Sequence, residues 1–177
     1  MTVAASDIQI VHAEFHPIDM FRKEGGYHTS QEISDIVDSV FQPGVILESD
    51  ASDIETLQYR KVFVKNLSGE SIYHVKVYGF NNKTTNYVKF ALERDILGNI
   101  KINGSEVIKD YKTAPKFTSD LCFTEESDTN NALDIGNSGK LSDLDAQGIW
   151  LKMTIPRNVF DLASDEFCLG INWTETE

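Results

Sequence analysis

Residues able to do chemistry are few and scattered in this chain. None of the four histidines, His12, His16, His28 and His74, sits in an HExxH or comparable ligand spacing. His12 and His16 would share a strand face, but Pro17 ends that strand directly afterwards. Cys122 and Cys168 stand apart, with no CxxC and no signature that nominates a thiol nucleophile, and no GxSxG motif marks a serine. They read as separate, reduced thiols. Carboxylates pair at Glu125-Glu126, at Asp143 and Asp145, and at Asp165-Glu166, the residue type that glycosidic acid-base chemistry needs, yet in segments that read as loops, where solvated acids are the norm. The densest group is Glu48, Asp50 and Asp53, three hard oxygen donors of the kind calcium selects, without the central glycine and terminal glutamate of an EF-hand. These three are the candidate metal ligands. Gly25-Gly26 fits neither GxGxxG nor GxxxxGK[ST] and reads as a turn or a close backbone approach, not a phosphate cradle. No catalytic constellation emerges, so the expectation is a non-enzyme without a cofactor.

The elements that would position such residues belong to a chain of 177 residues, 41% hydrophobic and 25% charged, a size that suits one core. Sixteen basic against 28 acidic residues give a formal net charge of −12, which repels a phosphate backbone and argues against direct nucleic-acid binding. No stretch approaches the roughly 18 consecutive apolar residues of a membrane span, and Met1 to Asp7 lacks a basic region followed by an apolar one, so neither a membrane nor an export signal is expected. There is no repeat, linker or composition break. The reading is a single domain, 1–177, with segment 1–7 and loop 124–140 extended.

Periodicity is mostly two. Ile149, Leu151, Met153 and Ile155 alternate with Trp150, Lys152 and Thr154, and the pattern recurs through Phe167, Leu169, Ile171 and Trp173, through Val88, Phe90 and Leu92, and through Ile8, Ile10 and His12. Two aromatic and β-branched runs, 58–65 and 71–80, flank Asn66-Leu67-Ser68-Gly69 and predict a β-hairpin. Asn103-Gly104 predicts a second hairpin between Lys101-Ile102 and Val107-Ile108. Thr29-Ser30-Gln31-Glu32 has the form of a capping box before Ile33, Ile36, Val37 and Val40, although the same stretch also permits a strand. A single helical turn fits 158–163. Segments 48–55 and 124–140 read as exposed loops. With crossover helices missing, the pattern predicts an all-β chain: a single antiparallel β-sandwich, immunoglobulin-like or jelly-roll-like, with at most one or two short helices.

Aromatic side chains supply the remaining candidates. Trp150 lies on the strand face opposite Ile149, Leu151 and Met153, so either that strand is buried on both faces or Trp150 meets a partner at the surface. With Tyr59, Phe63 and Tyr78 it forms the candidate protein interface, a set equally suited to sugar stacking.

Several blocks together carry a resemblance: Gly25-Gly26, Tyr59-Arg60-Lys61-Val62-Phe63-Val64-Lys65-Asn66, then Gly148-Ile149-Trp150-Leu151-Lys152-Met153-Thr154-Ile155-Pro156, and Phe167-Cys168-Leu169-Gly170-Ile171. Over roughly residues 25 to 172 the chain resembles immunoglobulin-like β-sandwich proteins encoded among the virion structural genes of tailed bacteriophages. The resemblance implies a non-enzymatic structural protein of the capsid shell, neck or tail. Its partners would be other virion proteins and copies of itself, and it would be assembled in the host cytoplasm and located in the virion. The alternative is a carbohydrate-binding or adhesion module, calcium-assisted through Glu48, Asp50 and Asp53.

Overall fold

The computed structural model describes residues 2–14, 24–25, 27–33, 56–80, 88–109, 112–124, 132–135, 139–155 and 168–177. Ten strand segments occur among them: β1 (Ile8–Glu14), β2 (Glu24–Gly25), β3 (Tyr27–Glu32), β4 (Thr56–Asn66), β5 (Tyr73–Phe80), β6 (Val88–Leu92), β7 (Val107–Ile108), β8 (Leu133–Asp134), β9 (Ala146–Ile155) and β10 (Cys168–Thr174). All pairings are antiparallel. A five-stranded sheet in the order β3-β1-β4-β9-β6 packs against a three-stranded sheet in the order β10-β5-β8, and β2 and β7 form a separate two-stranded ribbon. The expected all-β sandwich is the observed architecture. Helical structure among the described residues amounts to single 3-10 turns at Ala5–Asp7 and Asp120–Cys122.

Alternation explains the main core. Val62 and Val64 of β4, Phe90 and Leu92 of β6, and Ile149 and Leu151 of β9 share one face of the larger sheet and are buried with Val75 and Val77 of β5. Ile72, Ile135 and Leu141 close the same cluster. Burying such aliphatic side chains is worth about 1.5–3 kcal/mol each, which is why strands with this pattern find one another.

Several local expectations change. The runs on either side of Asn66-Leu67-Ser68-Gly69 do not form a hairpin, because β4 is already paired on both edges, to β1 and to β9, leaving no edge for β5. The chain instead crosses to the second sheet. Asn66 organises the crossing: its Nδ2 donates to the carbonyls of Glu70 and Leu141 at 2.8 and 3.0 Å, and Gly69 adopts a positive φ of 79°. Asn103 does take the positive φ of 52° expected of an Asn-Gly turn, but Ile102 bridges Gln147 of β9 while Val107-Ile108 pairs with β2. That turn lifts the chain from the sheet edge onto its outer face. The true hairpin spans Arg94 and Ile100, where Asp95 Oδ1 accepts the N–H groups of Leu97 and Asn99.

Thr29 to Glu32 belongs to a strand, β3, so the capping-box reading gives way to the alternative strand reading there; Ile36, Val37 and Val40 lie outside the described residues. Within 124–140, Leu133–Asp134 pairs with β5 and Ile135 is fully buried, so this part of the segment enters the second sheet instead of standing in solvent. Val3 packs into the main core, and its N–H donates to Glu175 Oε1 at 3.0 Å. The turn expected over 158–163 lies outside the described residues.

Candidate functional site

The larger sheet is buried on both faces. Opposite the aliphatic core its outer face carries Tyr59, Lys61 and Phe63 from β4 and Gly148 and Trp150 from β9, with Glu93 directly after β6. Residues 103–109 and 112–123 and the β2-β7 ribbon run across this face. Ile108 packs on Tyr59 and Trp150, and Phe123 meets the Tyr59 ring edge-on at 6.0 Å. A backbone bridge between Phe90 and Thr124 and an ion pair of 2.9 Å between Lys152 and Asp120 fasten the far end of this cover.

Beneath the cover lies a charge cluster. Lys61 Nζ is 2.7 Å from Glu93 Oε2, and the two side chains are 0% and 1% exposed. The ammonium also donates to the carbonyls of Glu106 and Gly104 at 3.3 and 3.5 Å, and sits 4.7 and 5.4 Å from the ring centroids of Phe63 and Trp150. Glu93 Oε1 accepts the backbone N–H of Glu106 at 2.8 Å. The Glu106 carboxylate in turn accepts the N–H groups of Lys116 and Phe117 through Oε1, while its buried Oε2 has no hydrogen-bond partner among the described residues.

Two glycines make room for the carboxylate. A Cβ at Gly148 would collide with Glu93 Oε2 and come within 2.8 Å of Lys61 Cε, and a Cβ at Gly104 would collide with the Glu93 carboxyl group. The carboxylate therefore lies against backbone on two sides. Burial pushes the Lys61 ammonium below its ordinary range, against the opposing pull of Glu93, and pushes Glu93 above the usual carboxylate range, against the opposing pull of Lys61. The site thus holds an amine and an acid in contact, in dry surroundings that favour the neutral form of each.

The sequence-predicted residues are distributed differently. Tyr59 and Trp150 are brought together, but in a buried cluster with Ile108; Phe63 is buried with Val11 and Ala146. The expectation of surface contact does not hold for these three, because the cover occupies the face they present. Tyr78 is only half-buried, on the outward side of β5, with its ring over Gly170. Glu48, Asp50 and Asp53 lie outside the described residues, as do His16 and Gly26. Cys122 and Cys168 are free thiols. His28 meets the Phe63 ring edge-on at 5.8 Å, and burial, aided by Lys65, lowers its pKa. Among the described residues no three His, Cys, Asp or Glu side chains are placed to hold a metal ion.

Lys61, Glu93 and Glu106 escaped the sequence reading. The available signal was a lysine midway along an aromatic strand face, between Tyr59 and Phe63, which asks for a buried counter-charge. No protein-family model, curated protein or solved structure matches this chain.

Proposed function

We propose that this protein is a non-enzymatic virion structural protein of a tailed bacteriophage, acting through contacts with copies of itself and with other virion proteins. The observation that carries the reading is a set of exposed apolar side chains at one end of the sandwich. Ile96 and Leu97, at the tip of the Arg94–Ile100 hairpin, are 76% and 81% exposed, and Leu144, in the loop entering β9, is 62% exposed. Leu67 joins them at the end of β4, where the Leu144 N–H bonds to the Asn66 carbonyl. The strand leaving the hairpin is tied to the same loop through Asn103 and Asp145, whose side chains hydrogen-bond at 2.7 Å. Apolar residues held on short, internally bonded loops lose little entropy on docking, and that suits repeated contact between rigid subunits. The net charge of −12 would keep unassembled copies apart.

Quantitative peptide mass spectrometry of purified phage particles tests the reading, with copies counted per major capsid protein. Detection in stoichiometric amounts is expected, together with loss of incorporation for a Leu97→Asp/Leu144→Asp variant that keeps its fold. Absence from particles would overturn the virion assignment.

A further inference from the structure

We propose that Lys61 and Glu93 join covalently, through an amide between Lys61 Nζ and Glu93 Cδ that fastens β4 to the end of β6 across β9. This inference stands apart from the assembly role and rests on the geometry beneath the cover. The reacting groups already touch, with Nζ 2.7 Å from Oε2 and both side chains out of water. Well-oriented intramolecular reactions gain effective molarities of about 10⁵–10⁸ M over the same groups free in solution. The intervening strand presents Gly148, so no side chain separates amine from acid.

The surroundings favour condensation. Amide formation needs the amine as free base and the carboxyl protonated, and burial biases Lys61 and Glu93 in those two directions. The Glu106 N–H, 2.8 Å from Glu93 Oε1, is a fixed donor to the oxygen that carries negative charge in the tetrahedral intermediate. The carbonyls of Gly104 and Glu106 take up N–H bonds of the amine and leave its lone pair for the carboxyl carbon. The Glu106 carboxylate acts electrostatically on both groups, favouring the neutral acid at Glu93 while holding the proton on Lys61.

The step balances without any co-reactant. One proton passes from Nζ to Oε2, turning the ion pair into an amine and an acid. The nitrogen lone pair forms the Nζ–Cδ bond. The Cδ–Oε2 bond then breaks, and its hydroxyl leaves as water with a second nitrogen proton passed directly from Nζ, its neighbour at 2.7 Å. One ammonium and one carboxylate become one amide and one water, with nothing oxidised or reduced.

Intact-mass spectrometry of the full chain, purified folded and then denatured, reads the outcome. The expected mass is that of the sequence less one water, and fragmentation of a proteolytic digest yields a branched peptide joined at Lys61 and Glu93. Lys61→Met restores the full sequence mass. A wild-type mass equal to that of the sequence after prolonged incubation overturns the proposal. So does a water loss that fragmentation maps elsewhere, or one that persists in Lys61→Met. The wild-type measurement is decisive even where a variant fails to fold.

Discussion

Val62 and Val64 on one face of β4 are buried with Val75 and Val77 of the second sheet, whereas Tyr59, Lys61 and Phe63 on the other face lie under a thin cover of largely irregular chain. The first face works by dispersion and water exclusion, which have no direction and tolerate small changes of shape. The second depends on orientation: an ammonium between two rings, a carboxylate against two glycines, a backbone N–H aimed at one oxygen. A single sheet can therefore carry a forgiving interior on one side and an exacting one on the other, set apart by a shift of one residue along the same strands.

The sharpest way to break this contrast is Trp150→Ala. It removes the ring that Ile108 and Lys61 share, and the expected loss is about 3–5 kcal/mol, measured by urea unfolding. Gly148→Ala comes next, at about 2–3 kcal/mol, since its methyl group drives the Glu93 carboxylate away from Lys61; near-neutral unfolding would mean that the cover repacks freely. On the aliphatic face, Ile149→Val, one residue away on the same strand, should cost only about 1 kcal/mol. A cost equal to that of Gly148→Ala would erase the distinction between the faces.

The smallest effect lies at the exposed hairpin. Asp95 accepts the N–H groups of Asn99 and Leu97, which hold its carboxyl below the usual aspartate range. A carboxyl whose pKa falls on folding stabilises the fold above its unfolded value and ceases to do so as pH falls through the depressed value. Amide exchange at Leu97 and Asn99 should therefore quicken in acid relative to the intrinsic rate, while amides of β9 stay protected.

Much of this was legible in the residues. Alternation located β1, β6, β9 and β10, because a strand that packs one face on the aliphatic core must show that face as an apolar series of period two. Alternation does not say which edges pair, so the runs 58–65 and 71–80 read as a hairpin although the chain crosses between sheets: local turn chemistry at Asn66 is the same whether the chain folds back or crosses over. Trp150 posed its question correctly in the sequence, as a choice between surface contact and burial on both faces, and the cover answers it. Glu93 could not be assigned to Lys61 from spacing, since the two meet only through the registers of β4 and β6 on β9.

The register of β4 with β9 runs from Thr56 against Ile155 to Lys65 against Ala146. The central ladder thus waits until Ile155 has been made, long after β4 is complete. A ribosome that has finished β4 has made a strand that the fold buries on both faces and whose main partner is still untranslated, and among the described strands before it β1 alone pairs with its edge. Such long-range closure slows folding and lengthens the interval in which unpaired strands can find a neighbour's. Newly made copies are therefore open to mispairing until residue 155 emerges, and a chaperone that holds the chain during that interval would shield the unpaired edge of β4.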